Sequence, residues 1–483
     1  MANFSNKFQS IVPLPLPDST LQELTKKARD WALMHGAAMR SRTQKFSEDI
    51  LQFAPFILIP SPFPRKEFEK ATEIQPILNE MMHWVAHNSE FLLSSLKEAA
   101  MVDEFTGNLL HIYRTILDEG SAQKVSLGLL RSDYMAHRDA GNRINQVEIN
   151  TIASSFAGIA SQFQNFNRFV LEELGYFEEV KNLPENNALR GLCEGMLEAW
   201  KIYGNTKAVI LFVIEEITYN ICDQRFHEFE LKKLEPRVKV IRRTLTQIAT
   251  QATLNSNQEL YIDGYEVAVI YFRAGYEPSH YPSQKEWGAR MTMEKSKAIK
   301  CPSIQYHLAG TKKVQQALAH TGVVEKFLSD TYKVEAVKEI FTGLYSLDFD
   351  EFGNEAVQMA LETPNRFVLK PQREGGGNNV YGDDVREAML KMKDTRERTA
   401  WILMDRINPP ITTGYMIRPG DTDKPALVDL VSELGIFGVI IGDSKNIMMN
   451  RQTGHMLRTK IATANEGGVA AGLGALDSPY LIE

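Results

Sequence analysis

The sequence predicts a mixed α/β (α+β) protein built from two or three domains. Its 483 residues exceed the size at which a single hydrophobic core stops growing. From about Gly204 onward, apolar runs of strand length alternate with helical patterns, and this alternation is typical of a largely parallel sheet. A third observation is the buried-strand pattern of residues 367–369, which leads into Lys370 and a glycine-rich loop. These features place the candidate binding residues where strands end.

Composition and charge narrow the range of partners. Hydrophobic residues make up 43% of the chain, and 54 basic against 61 acidic side chains give a formal net charge of -7, which argues against nucleic acid. No apolar run is long enough to cross a bilayer, and the N-terminus lacks the apolar core of a secretory signal, so we expect no membrane partner and a cytoplasmic location. Cys193, Cys222 and Cys301 are odd in number and far apart, which predicts buried or inert thiols.

The N-terminal region is predicted to be mostly helical. Thr20 followed by Glu23 has the form of a capping box, placed ahead of an amphipathic pattern that ends at Gly36. A later helix is predicted from apolar residues that recur at helical spacing, Phe105, Leu109, Ile112 and Ile116. These residues are interpreted as packing residues without a chemical role.

Two predicted strands carry polar residues that suit a hard cation. The alternation in residues 125–129 predicts a strand that delivers Arg131 at its end. In residues 146–150, Glu148 and Asn150 fall on one face, two residues apart. A carboxylate and an amide on a rigid strand suit Mg²⁺ better than zinc, and the alternative is a half-exposed strand with an ordinary polar face. The polar turn at residues 151–158 then enters a helix and has N–H groups suited to holding a carboxylate.

A small α/β subdomain with a largely parallel sheet is predicted from about residue 205. Its strands are expected at residues 208–214, 238–241 and 267–272, with a helix at 223–234. Ligands collect at the carboxyl ends of such strands, where Arg273 follows the last one. Arg273 is therefore a candidate for binding a carboxylate, and the alternative is a surface ion pair. Lys312 is expected at the positive end of the helix that follows.

The loop after residues 367–370 is a candidate phosphate site. The glycines at 375–377 allow backbone N–H groups to close on an anion, and Lys370 and Arg373 supply positive charge. The carboxylate of Glu374 would be repelled by phosphate unless a divalent cation lay between them, which predicts Mg²⁺. The alternative is a solvated glycine-rich loop, because the spacing matches neither a Walker A motif nor a Rossmann fingerprint.

The C-terminal region adds strands and a glycine-rich segment. A strand is predicted at residues 401–407, ahead of two prolines, and a strand-and-turn unit is predicted to follow Glu433 at residues 434–438. Arg458 and Lys460 precede a glycine-rich segment that is typical of a loop closing over a site.

Taken together, these segments resemble the eukaryotic-type glutathione synthetase family over nearly the whole chain. The resemblance rests on segments in the family's order, at residues 130–134, 148–152, 309–316, 370–379, 432–438 and 457–460. It implies an ATP-grasp fold with a permuted chain order, an inserted parallel α/β substrate-binding subdomain, a glycine-rich lid and a cytoplasmic homodimer. The implied regions are 1–204 (helical region and part of the core), 205–309 (substrate-binding subdomain) and 310–483 (core with lid and closing loops).

The resemblance also implies roles for individual residues. The magnesium ligands would be Glu148, Asn150 and Glu374. The ATP-binding residues would be Glu148, Lys312, Lys370, Pro371, Gln372, Arg373, Glu374, Gly375, Gly376, Gly377, Asn378, Asn379, Tyr381, Met404, Asp405, Arg406, Ile407, Glu433, Lys460 and Glu466. The substrate-binding residues would be Arg131, Ile152, Ala153, Ser154, Ser155, Thr218, Tyr219, Asn220, Gln224, Arg273, Ala274, Gly275, Tyr276, Arg458, Val469 and Ala470. The residues expected to contribute to catalysis would be Arg131, Lys312, Lys370 and Arg458.

The implied reaction joins γ-glutamylcysteine to glycine through an acyl phosphate, with ATP and Mg²⁺, and releases ADP and phosphate. It needs no protein nucleophile, so positioning and charge neutralisation carry it. Ala153, Thr218 and Ala274 depart from the family's pattern, and all three fall among the dipeptide contacts. The alternatives are a sister ligase with another amine acceptor, such as β-alanine, and a non-catalytic nucleotide-binding relative. Residues 469–472 favour glycine as the acceptor.

Overall fold

The computed structural model describes residues 7–42, 45–374, 376–469 and 473–483, which form a mixed α/β fold. The α-helices of these ranges are α1 Asp18–Met34, α2 Arg65–Ala86, α3 Ser89–Leu96, α4 Ala99–Val102, α5 Glu104–Glu119, α6 Ala157–Glu173, α7 Ala188–Tyr203, α8 Ile221–Leu234, α9 Leu245–Gln251, α10 Gln284–Lys295, α11 Ile304–Ala309, α12 Lys312–Leu318, α13 Thr331–Ile340, α14 Glu351–Glu362 and α15 Asp383–Met392. The β-strands are β1 Ala38–Arg40, β2 Leu51–Phe53, β3 Phe56–Ile57, β4 Ser61–Pro64, β5 Ser126–His137, β6 Arg143–Asn150, β7 Val209–Ile214, β8 Val240–Thr244, β9 Ala252–Leu254, β10 Leu260–Ile262, β11 Tyr265–Phe272, β12 Ile299–Cys301, β13 Leu344–Ser346, β14 Phe367–Pro371, β15 Val380–Tyr381, β16 Trp401–Asp405, β17 Thr412–Ile417, β18 Leu427–Gly442, β19 Ile447–Ile461, β20 Ala475–Asp477 and β21 Pro479–Ile482.

The largest sheet has seven strands in the order β17-β3-β20-β19-β18-β5-β6. Strands β18 and β19 form a long antiparallel pair, and β5 runs antiparallel along the other edge of β18. Helices α2 and α7 pack against β18, and residues 433–442 are buried throughout, as expected of a strand covered on both faces. The register places Gly435 of β18 opposite both Asp133 of β5 and Met456 of β19.

A second antiparallel sheet has four strands in the order β13-β16-β14-β15. Its small core contains Phe367, Leu369 and Leu403, which are fully buried, and helices α14 and α15 contribute to the same cluster. The strand predicted at residues 367–369 is confirmed as β14. The glycine-rich loop begins where this strand ends, at Pro371.

A third sheet is largely parallel, as the alternation of strands and helices predicted. Strands β8, β7, β11 and β12 pair in parallel, and the short strands β9 and β10 extend the sheet with antiparallel pairs. Strand β11 ends at Phe272, so Arg273 follows its carboxyl end. The helix predicted at residues 223–234 is confirmed as α8, which starts two residues earlier.

Three local predictions were wrong. Helix α1 begins at Asp18 directly after Pro17, without a side-chain cap, so Thr20 lies inside the helix and the predicted capping box does not form. Residues 434–438 lie within β18 and form no turn, because they pair with β5 on one side and with β19 on the other. Strand β5 continues to His137, so Arg131 lies in its middle.

The predictions about membrane-spanning segments and about the cysteines can be compared with the structure. In the ranges given above, no helix has the length and apolar character needed to cross a membrane. All three cysteines are free, with Cys193 and Cys301 buried and Cys222 half-buried. The predicted burial is confirmed for Cys193 and Cys301, and Cys222 is partly exposed.

Candidate active site

A cleft of about 370 Å³ lies between the seven-stranded and four-stranded sheets. The seven-stranded sheet contributes Glu148 from β6 and Glu433 from β18, and the four-stranded sheet contributes Lys370 from β14 and Met404 from β16. The first residue of α12, Lys312, also lines the cleft. Segments that are far apart in the sequence therefore meet at one site.

Lys312 connects two of the predicted metal ligands. Its Nζ donates to Oε1 and Oε2 of Glu374 at 3.0 and 2.9 Å, and it lies 3.1 Å from Oε2 of Glu148. Lys370 lies beside this group, because its Nζ donates to the Val147 carbonyl at 3.1 Å and is 3.9 Å from Glu148 Oε2. Both lysine side chains are buried. The cleft thus holds two ammonium groups against two carboxylates.

The electrostatics of the cleft keep most of these groups charged. Burial by itself would raise the pKa of the Glu148 carboxyl, but the charges of Lys312, Lys370 and Arg458 outweigh it and hold that pKa well below its usual range. Burial would lower the pKa of Lys312, yet Glu148 and Glu374 raise it above the usual value. In contrast, burial raises the pKa of Glu374 and lowers the pKa of Lys370. Glu374 is therefore the carboxylate whose charge is least compensated.

The predicted metal ligands have donor chemistry that fits Mg²⁺. Glu148 and Glu374 converge on one ammonium, as described above. The Asn150 side-chain nitrogen donates to Asp133 Oδ2 at 2.9 Å and to the Arg131 carbonyl at 3.2 Å, which leaves its oxygen as the atom available for a cation. Two carboxylates and an amide oxygen suit a hard cation that completes its shell with phosphate and water. The described residues contain no group of three or more His, Cys, Asp or Glu arranged for a metal ion.

Sequence reasoning missed Asp133, although it lies within the motif at residues 130–134. Arg131 donates from Nε and Nη2 to the two carboxylate oxygens of Asp133, at 2.6 and 2.9 Å. Arg458 Nη2 lies 3.6 Å from Asp133 Oδ2, and its Nε donates to Glu433 Oε1 at 3.1 Å. The available signal was the two-residue spacing of Arg131 and Asp133 on one strand, which puts both side chains on the same face.

The glycine-rich loop holds an anion that belongs to the chain itself. The backbone N–H groups of Gly377 and Asn379 donate to the carboxylate of Glu466, the second at 3.1 Å. Arg373 lines the cleft but also pairs with Asp103 at 2.6 Å, at the start of α5. Two loop amides and Arg373 thus have carboxylates of the chain as partners, and the phosphate site stays a prediction.

Residues 152–156 of the polar turn line the cleft, and two backbone amides of the turn have a partner within the protein. Asp223 of α8 accepts hydrogen bonds from the N–H groups of Phe156 and Gly158 at 2.8 and 2.9 Å. Arg273 is buried, 3.6 Å from Asp223, and donates to Ser155 Oγ at 2.7 Å and to the Ser154 carbonyl at 3.3 Å. Arg273 therefore supports the turn from behind, and it is not a surface ion pair.

The cleft gathers most of the predicted residues, and the others lie behind it or next to it. The described residues that were predicted but do not line the cleft are Thr218, Tyr219, Asn220, Gln224, Arg273, Ala274, Gly275, Pro371, Gln372 and Gly377. Two further predicted residues, Gly375 and Ala470, fall outside the described residues, as do Ala471 and Gly472. Two of the residues that do not line the cleft have a partner outside it: Arg242 donates to Thr218 Oγ1 at 3.3 Å and to Gln224 Oε1 at 2.8 Å.

The sequence also gave no sign of the apolar wall of the cleft. This wall includes Val368, Ile411 and Val431, next to the predicted Met404 and Ile407. In the sequence these residues have the pattern of ordinary strand packing. An apolar wall beside a few polar groups is typical of a site for a flat ring.

The fold and the cleft define the class of the protein: a mixed α/β protein with a cleft between two β-sheets that is lined by lysines, arginines and carboxylates. The model of the family described as "Eukaryotic glutathione synthase, ATP binding domain" matches residues 18–481. The chain therefore belongs to the eukaryotic glutathione synthase family.

Individual relatives agree with this membership. Glutathione synthetase of Xenopus laevis is 44% identical over 465 residues, which cover 96% of this chain and 97% of that protein. Glutathione synthetase of Mus musculus is 43% identical over 466 residues, with the same coverage of 96% and 97%. Among solved structures, a glutathione synthetase-like effector from Globodera pallida, in its apo form, covers 97% of this chain and 98% of its own, with 25% identity and a TM-score of 0.78.

Proposed function

We propose that this cleft joins γ-glutamylcysteine to glycine at the expense of ATP, giving glutathione, ADP and phosphate. Membership of the glutathione synthase family supports an ATP-dependent ligase, because the relatives match over nearly their full length. The observation within the structure that carries the proposal is the cluster of Lys312, Glu148 and Glu374. It combines a buried cation with two half-buried carboxylates, which is the charge arrangement needed for a metal-nucleotide complex.

The nucleotide is proposed to lie with its base against the apolar wall and its phosphates toward Lys312 and Lys370. These two ammonium groups and the amides of the glycine-rich loop would contact phosphate oxygens. Glu148, Asn150 and Glu374 would hold Mg²⁺, which when bound neutralises phosphate charge. The facing antiparallel sheets support an ATP-grasp fold, and we retain the permuted chain order, inserted subdomain and lid as parts of this proposal.

The proposed chemistry is a phosphoryl transfer followed by an acyl transfer. The dipeptide carboxylate attacks the γ-phosphorus of ATP and ADP leaves, which gives an acyl phosphate. The amine of glycine then attacks the acyl carbon, and phosphate leaves as the peptide bond forms. Arg131 and Arg458 would orient the substrate carboxylates so that each attack is in line. The closing loops would exclude water, because an acyl phosphate hydrolyses readily.

The test is a reaction with purified protein, ATP, Mg²⁺, γ-glutamylcysteine and equal concentrations of glycine and β-alanine. We expect ADP release together with a product of the mass of glutathione. Glycine is favoured because one added methylene displaces the amine relative to a carboxylate held by Arg458. A dominant β-alanine product would identify a sister ligase. An absence of ADP release with every acceptor would identify a non-catalytic nucleotide-binding relative.

The homodimer and the cytoplasmic location remain predictions. Sedimentation equilibrium of the purified chain measures the first, and a mass of one chain at micromolar concentration would contradict it. Subcellular fractionation followed by immunodetection of the native protein measures the second.

A further inference from the structure

Asp133 is a buried carboxylate that joins three predicted site residues. Its side chain is 2% exposed. It accepts two hydrogen bonds from Arg131 and one from the Asn150 side chain, and it lies 3.6 Å from Arg458. The three residues come from three different strands, β5, β6 and β19. One carboxylate therefore determines the relative placement of two predicted substrate residues and one predicted metal ligand.

A glycine makes this arrangement sterically possible. Strand β18 lies between β5 and β19, and Gly435 is its residue opposite Asp133. A Cβ atom at this position would lie 2.8 Å from Arg131 Cδ, 2.9 Å from Asp133 Oδ1 and 2.9 Å from Met456 Cγ. Real Cβ atoms essentially never make contacts this short, so any side chain at residue 435 would displace the Arg131–Asp133 pair. The absence of a side chain on β18 lets groups from β5 and β19 meet across it.

Asp133 does not reach the cleft surface, whereas Arg131, Asn150 and Arg458 all line the cleft. An arginine held by a bidentate carboxylate has its planar fork fixed in direction. Without that partner the guanidinium would lose its fixed geometry, and one buried positive charge would be left uncompensated. The influence of Asp133 on the reaction must therefore pass through its partners.

We propose that Asp133, with Gly435 providing the space for it, is a positioning residue that fixes the substrate-facing geometry of Arg131 and Arg458. This inference rests on the proposed function. It adds that the affinity for the carboxylate-bearing substrates depends on Asp133, although Asp133 contacts none of them.

The test compares two variants with matched controls from the same sheet. Asp133→Asn keeps the shape of the side chain and removes its charge, and Asp477→Asn does the same to a buried carboxylate on β20 that accepts from Thr459 Oγ1 at 2.7 Å. Gly435→Ala disturbs the pair sterically. Its control is Gly438→Ala on the same strand, where the added methyl group would meet the side chain of Asn79 from α2.

We expect Asp133→Asn to lower kcat/KM for γ-glutamylcysteine by about 100-fold, because small misplacements of positioning groups have effects of this size. The loss should appear mainly as a raised KM. Affinity for a non-hydrolysable ATP analogue, measured by calorimetry without Mg²⁺, should change by less than about threefold. The reason is that the side chain of Asp133 contacts Arg131, Asn150 and Arg458, and none of these three is predicted to bind ATP itself. Gly435→Ala should show the same pattern, and both control variants should keep the wild-type KM values.

A double-mutant cycle separates a positioning role from an independent one. In an Arg131→Ala background, Asp133→Asn should have an effect at least about tenfold smaller than in the wild type, as for residues of one network. Fully multiplicative losses would overturn the inference, and so would wild-type KM values in Asp133→Asn. If Asp133→Asn does not fold, the pair Gly435→Ala and Gly438→Ala decides the question alone. Failure of the wild-type protein to make glutathione would instead refute the proposed function.

Discussion

Replacing Glu374 by glutamine is predicted to lower turnover by about 100-fold or more while the fold is retained. The substitution keeps the size of the side chain but removes the charge that Lys312 contacts at 2.9 and 3.0 Å. Removing one charged contact from a buried site typically lowers kcat by about 10² to 10³, or about 3 to 4 kcal/mol. We expect kcat to fall by at least the lower of these two values, because the substitution would also remove a carboxylate ligand of the proposed cation.

The stability cost of the same substitution should be small. Breaking a buried ion pair usually costs about 3–5 kcal/mol because one charge is left without a partner. Here Lys312 keeps Glu148 at 3.1 Å, so its ammonium remains paired. In addition, burial raises the pKa of Glu374, which means that the ionised carboxylate is itself disfavoured.

The assay measures ADP release at saturating substrates across a MgCl₂ series, together with the melting temperature. Glu325→Gln is the matched control, because Glu325 pairs with Lys338 at 2.6 Å on the exposed surface. The control should keep full turnover. Wild-type turnover of Glu374→Gln at saturating Mg²⁺ would refute the assignment of Glu374 to the metal, and an unfolded variant would refute the argument that Glu148 is a sufficient partner for Lys312.

Two further predictions concern buried charges outside the cleft. Arg273→Ala should raise the KM for the dipeptide about tenfold, as expected when a charge-assisted contact is removed, because Arg273 holds Ser154 and Ser155; an equal loss of affinity for an ATP analogue in calorimetry would contradict this. Burial raises the pKa of Asp477 from 3.8 to about 7, so its contribution to stability is complete below pH 3.8 and is lost as the pH rises through 7. Asp477→Asn should therefore become more stable relative to the wild type as the pH rises from 5 to 8, as measured by the free energy of unfolding in urea. If the pH profiles of the two proteins were parallel, the raised pKa of Asp477 would be contradicted.

Periodic segments could be predicted from the sequence, and long-range partners could not. Strand β14 was found because its apolar residues form a continuous run, and helix α5 was found because its apolar residues recur at helical spacing. The glycine-rich loop was found because three consecutive glycines follow the strand. The predicted capping box failed because Pro17 and Asp18 already supply a helix start. The spacing of Thr20 and Glu23 alone was not enough to choose between these two possible starts of the helix.

Most of the other differences between prediction and structure come from contacts with residues that are distant in the sequence. Arg273 was placed correctly at a strand end, but Asp223 and the serine turn, which are distant in sequence, determine that it is buried. Asp133 was overlooked because its importance comes from Arg458, which lies far along the chain on another strand. The turn predicted within residues 434–438 was wrong for the same reason, since the sequence does not reveal that side chains from both neighbouring strands fill the space beside Gly435.

The contact between Glu466 and the glycine-rich loop has a consequence for nucleotide affinity. On the proposed function, phosphate oxygens enter a loop whose amides at Gly377 and Asn379 already bind a carboxylate. Binding is then an exchange of one anion for another, and the measured dissociation constant reports the difference between two similar interactions. The released carboxylate also becomes free to take a new partner, so departure of the product can be coupled to its return.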